Sequence, residues 1–176
     1  YKKALTEKFG DCDPNFSAAL TKYAEFVLRR GEIPYRPYAN LAAAMFENKL
    51  DEKAVIGVVA DWGTGQPEAI EVLRQVKQQN PSVAIHLGDI YYAGTEREVE
   101  EYFYKPWEAV FDSANSGVAS FVLPGNHDLY SGGGPFYKLV DCFGQQASYF
   151  CLRNKYWQLI GLDTALNDRL GGPPTS

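Results

Sequence analysis

The sequence predicts an α/β fold: a βαβ unit within a mixed sheet, preceded by a helical extension. Three observations carry that expectation. Ala54-Val55-Ile56-Gly57-Val58-Val59-Ala60 is a nearly unbroken β-branched run, the pattern of a strand buried on both faces. Val83-Ala84-Ile85-His86-Leu87 is a second such run. Between them Ile70, Leu73 and Val76 recur at helical spacing. Strand, helix and strand in that order imply parallel strands joined by a right-handed crossover.

The elements follow in order. Asp13 before Pro14 supplies an N-cap with proline in the first turn. Phe16, Leu20, Tyr23, Ala24 and Val27 then share a helical face, and Gly31 supplies a stop. Pro34 and Pro37 break the chain, and the Ala-rich stretch 41–50 predicts a second helix. Residues 1–50 show no chemistry and are read as the helical extension, with residues 51–176 as the domain. Pro67 opens the crossover helix and Asn80-Pro81 closes it. Residues 95–112 carry helical patterning (Val99, Phe103, Trp107, Val110, Phe111) interrupted at Pro106. A third strand is expected over 119–123, running into Pro124-Gly125-Asn126-His127-Asp128. After Gly132-Gly133-Gly134, stretches 148–152 and 156–162 predict a β-hairpin joined by Arg153-Asn154-Lys155.

Composition narrows the function classes. With 176 residues, 45% hydrophobic and 22% charged, the chain is neither collagen-like nor disordered nor a coiled coil. No apolar run approaches the roughly 18 residues of a membrane span. The net charge of −5, without a basic block, argues against a grip on nucleic acid through phosphate neutralisation. The start at Tyr1 and the Gly171-Gly172-Pro173-Pro174-Thr175-Ser176 end read as those of a fragment, and any signal peptide is absent or removed. Three cysteines without CxxC spacing exclude a zinc ribbon. Cys142 and Cys151 either pair in an oxidising compartment or stand as buried free thiols. Asn15-Phe16-Ser17 is a glycosylation sequon of the kind that also arises by chance, so the compartment stays open.

The chemistry gathers at strand ends. Each of the three buried runs passes directly into a polar turn: Asp61 after the first, Asp89 after the second, and Asn126, His127 and Asp128 after the third. In a parallel sheet those carboxyl ends lie along one edge, where ligands bind. Gly63, Gly88 and Gly125 beside them allow sharp turns and close approach. Hard oxygen donors with an amide and an imidazole suit Mn, Fe or Zn. One carboxylate such as Asp89 can bridge two cations about 3.5–4 Å apart. Cations would also supply the positive charge that an acidic protein lacks for an anionic substrate. Blander roles stand beside these. Asp61 and Asp89 also suit turns, Tyr91 and Tyr92 suit cover for a sheet edge, and the Asn126 segment suits a tight turn. His86 is expected in the core and Asp163 in a turn. Asp128 either orients His127 or holds its loop. The glycine triplet is expected in a surface loop, and Trp62, Trp107 and Trp157 in packing.

Ala60-Asp61-Trp62-Gly63, Gly88-Asp89-Ile90-Tyr91-Tyr92 and Gly125-Asn126-His127-Asp128, in that order after strands, resemble the first three blocks of the calcineurin-like metallophosphoesterase superfamily. Most members carry DxH in the first block. Here Gly63 takes the histidine position and Tyr92 stands three residues after the second Asp, a pairing that resembles the purple acid phosphatase branch, particularly its small tartrate-resistant type. The resemblance covers roughly residues 53–168. It implies an α-β-β-α sandwich, of which this chain holds the first half. It further implies hydrolysis of a small phosphoric monoester by hydroxide held on a dinuclear Fe(III)–M(II) centre, with M being Fe, Zn or Mn. By position, Asp61 and Tyr92 would ligate the ferric ion, Asp89 would bridge, and Asn126 would ligate the second ion. His127 would be the catalytic residue, orienting the phosphate or protonating the leaving oxygen. A phosphodiesterase or nucleotidase of the same superfamily, or a catalytically dead binding module, are the alternatives. The family's later histidines, in VxxH-like and GHxH blocks, have no counterpart after His127. The chain alone is therefore expected to bind metals poorly and to be inactive. By resemblance a secreted, periplasmic or lysosomal-type setting is compatible.

Overall fold

In the computed structural model, which describes residues 14–29, 33, 36–46 and 48–165, the chain begins with helices α1 (Pro14–Leu28) and α2 (Leu41–Phe46). Strands β1 (Asn48–Lys49) and β2 (Ile56–Val59), helix α3 (Pro67–Gln78) and strand β3 (Val83–His86) follow. Three helical pieces then run consecutively: α4 (Glu96–Glu98), a π-helical turn (Val99–Tyr104) and α5 (Lys105–Phe111). After α6 (Ser113–Ser116) come β4 (Ala119–Val122), α7 (Asn126–Leu129), α8 (Gly134–Cys142), β5 (Phe150–Arg153) and β6 (Gln158–Gly161). The expectations placed on Asp13, Gly31, Pro34 and the 171–176 segment lie outside the described residues.

The fold is mixed α/β, as the pattern predicts. Strands β2, β3 and β4 form one parallel sheet in that order, with Val83 opposite both Ile56 and Ala119. The second sheet has the order β1-β5-β6, with β1 parallel to β5 and β6 antiparallel to it. Alternation along β3 sends its residues into two different layers. Val83 and Ile85 meet Leu50, Leu123, Phe150 and Leu152, so this face packs on the second sheet. Ala84 joins Leu73, Phe103, Trp107, Phe111, Val122 and Leu139 on the helical side. The core is thus layered helices, sheet, sheet.

Several local expectations are corrected by non-local packing. The β-branched run of β2 is not buried on both faces: β2 is an edge strand and Val58 is 49% exposed. All four residues of β3 are buried, because one of its faces packs on the helices and the other on the second sheet. The second helix stops at Phe46 rather than continuing to residue 50. Asn48 and Lys49 instead pair with Leu152 and Arg153, and Leu50 enters the inter-sheet core, which outweighs local helix preference. Trp62 and Trp107 pack in the core as expected, but Trp157 is 73% exposed. It sits in the turn of the hairpin, where Asn154 Oδ1 accepts the backbone N–H groups of Tyr156 and Trp157. Cys142 and Cys151 are both free; Cys142 is exposed, so only Cys151 fits the buried-thiol expectation. The glycine triplet is not a plain surface loop, since Gly133 is buried at the start of α8. Asp163 Oδ1 accepts the Ala165 N–H, the turn role expected of it.

Pro106 acts as anticipated. A proline removes an N–H and crowds the preceding turn, and the chain relieves this with the π-helical turn just before it. Thr95 opens the same segment through a capping box with Glu98. Among the described residues no helix is long and apolar enough to cross a membrane.

His86 is a core histidine. It is 1% exposed, its ring lies 4.6 Å from that of Phe103, and its Nδ1 accepts the Gly88 N–H at 3.3 Å. Burial lowers its pKa to about 3. The unfolded chain therefore binds a proton at this position below about pH 6.5 that the folded chain refuses down to about pH 3. Stability contributed by neutral His86 is present above that window and is lost as pH falls through it. Asp128, whose burial raises its pKa to about 7, acts in the opposite sense, so the His86 share is read as the stability difference in urea between wild type and His86→Asn, which keeps an acceptor for Gly88 and cannot titrate. That difference should drop as pH falls, with a slope approaching about 1.4 kcal/mol per pH unit in this window; a difference that does not vary with pH refutes the assignment.

Candidate metal centre

The sheet delivers its polar turns to one edge, and backbone pairing continues past the strand ends. Gly63 and Ile90 form an isolated parallel bridge, the Asp61 N–H donates to the Gly88 carbonyl at 3.0 Å, and the Tyr91 N–H donates to the Gly63 carbonyl at 2.9 Å. The turns after β2 and β3 are therefore one hydrogen-bonded unit. Asp61 and Asp89 both adopt left-handed backbone, with φ of 55° and 72°. That region is unfavourable for residues bearing a Cβ, and such strain persists where surrounding structure enforces it.

The turn after β4 is pressed against this unit. A Cβ on Gly88 would lie 2.2 Å from the Gly125 nitrogen, and a Cβ on Gly125 would lie 2.1 Å from Asp89 Oδ1. Glycine is required at both positions for the backbones to meet. The clamp is Asp128. Its Oδ2 accepts the N–H groups of Gly125 and Asp89, each at 2.7 Å, while Oδ1 is buried without a hydrogen bond. Burial raises the Asp128 pKa to about 7, opposed by the backbone N–H groups of Gly125, Asp89 and Ile90. Of the two roles open to it in the sequence, the geometry matches the loop-holding one.

Five residues were singled out for the chemistry, and they fall as follows. Asp61 and Asp89 share a neighbour, because the Tyr91 hydroxyl donates to Asp61 Oδ1 and lies 3.5 Å from Asp89 Oδ2. Tyr92, the tyrosine matching the family spacing, is 5% exposed, with its ring edge-on to Phe16 of α1 at 5.7 Å. Asn126 opens α7, and its Nδ2 donates to the Tyr130 hydroxyl. The His127 N–H donates to Asp89 Oδ1 at 3.1 Å, and its ring lies 4.5 Å from that of Tyr91. His127 Nδ1 contacts the Tyr92 carbonyl. A carbonyl only accepts, so Nδ1 carries the proton and Nε2 is left to exchange one.

Electrostatically the site is short of positive charge. Burial first, and the charge of Asp61 after it, push the Asp89 carboxyl above the usual carboxylate range against the His127 hydrogen bond. Burial, the hydrogen bond to Asp61 and the charge of Asp89 push the Tyr91 phenol well upward, so it is held protonated. A cation among these groups would invert that balance. The donor set fits one: two carboxylates, a phenol and an amide offer hard oxygen atoms suited to Mn, Fe or Zn. Among the described residues, no three His, Cys, Asp or Glu side chains gather as a metal group, so the amide and phenol would have to take part.

Three contributors were not singled out from the sequence. In the sequence Tyr91 suits only cover for the sheet edge. Glu98 was missed, although its Oε1 accepts the Tyr92 N–H at 2.5 Å and its Oε2 accepts the Ala93 N–H at 3.2 Å. The Thr95-x-x-Glu98 capping pattern would have flagged it as a helix start. Tyr130 was missed as well, and its position four residues after Asn126 on a helical turn was the available signal.

No curated protein and no solved structure matches the chain. A family model described as calcineurin-like phosphoesterase matches residues 54–171, well over half of the sequence and inclusive of the turns after β2, β3 and β4. The chain belongs to the calcineurin-like phosphoesterase family.

Proposed function

We propose that this site, in the full chain, hydrolyses small phosphoric monoesters at a dinuclear Fe(III)–M(II) centre, in the manner of purple acid phosphatases. Metal-dependent phosphoester hydrolysis is the family's reaction class. The narrower reading is carried by one observation: a phenol hydroxyl joins Asp61 to Asp89, where Gly63 leaves no first-block histidine. A hard phenolate oxygen favours Fe(III), and Fe, Zn or Mn would serve as the second ion.

Asp61, Asp89, Asn126 and a tyrosine would hold the ions. The centre would supply Lewis acidity and activation of the attacking nucleophile near neutral pH. The rest falls to the chain. His127, with Nδ1–H committed to the Tyr92 carbonyl, uses Nε2 to orient the phosphate or to protonate the leaving oxygen. Glu98 holds the backbone of Tyr92 and Ala93, and Asp128 holds that of Asp89 and Gly125. Resemblance positions Tyr92 as the phenol ligand, whereas the Tyr91 hydroxyl is the one at both carboxylates.

Asp89→Asn in the full chain should lose most bound metal and at least about 100-fold in kcat/KM on a monoester, since it removes the bridging charge. Wild-type metal content and turnover in that variant refute the site. A parallel panel of diester and nucleotide substrates tests the monoester claim, which falls if a diester or nucleotide is preferred. Iron-loaded protein should show a visible tyrosinate band that disappears in Tyr91→Phe and survives in Tyr92→Phe. The opposite pattern assigns Tyr92, and absence of the band in wild type removes tyrosinate ligation.

A further inference from the structure

We propose that Tyr130 is a positioning residue for Asn126: its hydroxyl takes the Nδ2 end of the amide and so commits Oδ1 to the cation. The inference rests on the metal-site reading above. An asparagine amide has two ends of opposite chemistry. Oδ1 carries lone pairs that can ligate, whereas Nδ2 offers only protons. Rotation by half a turn about the last side-chain bond exchanges them, so an unrestrained Asn126 would present the wrong end part of the time.

The structure restrains it. Asn126 Nδ2 donates to the Tyr130 hydroxyl, and Oδ1 makes no hydrogen bond among the described residues. Tyr130 is itself gripped from two sides. The ring of Tyr23 on α1 meets it edge-on at 4.7 Å, and the ring of His127 lies 4.8 Å away. Its backbone N–H donates to the His127 carbonyl at 3.3 Å. The next residue is tied down as well, with Ser131 N–H donating to the Ala93 carbonyl at 3.1 Å and Ser131 Oγ to the Gly94 carbonyl at 2.9 Å. A phenol fixed in this way presents its oxygen at one place, and by accepting from Nδ2 there it leaves Oδ1 for the cation. The N-terminal helix thereby reaches the Asn126 side of the candidate site through Tyr23, as it reaches Tyr92 through Phe16.

The test is calorimetric titration of the full chain with Zn(II) alone. Tyr130→Phe keeps the ring and its packing and removes only the hydroxyl. Zinc affinity in at least one binding step should fall about 10- to 100-fold, the usual range for loss of a group that orients a ligand. Asn126→Ala should weaken zinc at least as much. The double variant should be no weaker than Asn126→Ala alone, because Tyr130 acts only through Asn126. Unchanged zinc affinity in Tyr130→Phe, or losses that add in the double variant, overturn the inference while leaving the metal site standing. If Asn126→Ala and Asp89→Asn both bind zinc as wild type does, or if wild type binds none, the metal-site reading fails and takes the inference with it. Should Tyr130→Phe not fold, nitrogen-15 NMR of the wild-type Asn126 side chain decides. One slowly exchanging amide proton with shifts that follow added zinc is expected, and a fast-exchanging pair indifferent to zinc overturns it.

Discussion

The candidate site depends on one buried carboxylate. Asp128 Oδ2 accepts backbone N–H groups from the turns after two neighbouring strands. Buried backbone donors left unmatched are costly, and one acceptor oxygen shared by two of them is a strong local constraint. The glycines at 88 and 125 follow from it, because the clamp draws the backbones closer than any Cβ permits. The left-handed backbone at Asp61 and Asp89 also becomes intelligible as strain that a tightly bonded edge imposes. The carboxylates therefore do not sit at the sheet edge by preference of their own residues.

Such an edge is electrostatically unfinished. Two aspartates share a phenol proton, and both the phenol and Asp89 are pushed toward their neutral forms. A group whose charged state is resisted by burial and a neighbouring like charge is a frequent mark of a functional position. No lysine or arginine salt bridge reaches Asp61 or Asp89 among the described residues; those that occur lie elsewhere on the surface. Among the described residues no side-chain cation is paired with these carboxylates, which is the charge the proposed ions would supply.

What was legible in the sequence was local and periodic. The βαβ unit, the third strand, the hairpin and the proline-interrupted helix all follow from apolar spacing and turn residues, and the three polar turns follow from where those strands end. What was hidden depended on partners far along the chain. The strand at Asn48–Lys49 exists because Leu152 and Arg153 lie alongside, and nothing in its own residues resists continuing the helix. Exposure of Val58 and Trp157 is a property of position within the sheets rather than of residue type. Which contacts each of two adjacent tyrosines makes is likewise set by the folded backbone and not by spacing. Motif spacing names Tyr92, while the hydrogen bonds run to Tyr91.

The β1–β5 pairing has a kinetic side. It joins Asn48 to Leu152, so the central strand of the second sheet receives its parallel neighbour from a stretch made about a hundred residues earlier. During synthesis, residues 48–50 must wait unpaired, with Leu50 lacking its core, until the hairpin emerges. At roughly 5–20 residues per second that wait lasts several seconds, long compared with the microseconds in which a helix forms. The helical first layer can assemble meanwhile, and the inter-sheet layer closes last. The face of β3 that carries Val83 and Ile85 is accordingly the surface most in need of protection on a ribosome-bound chain.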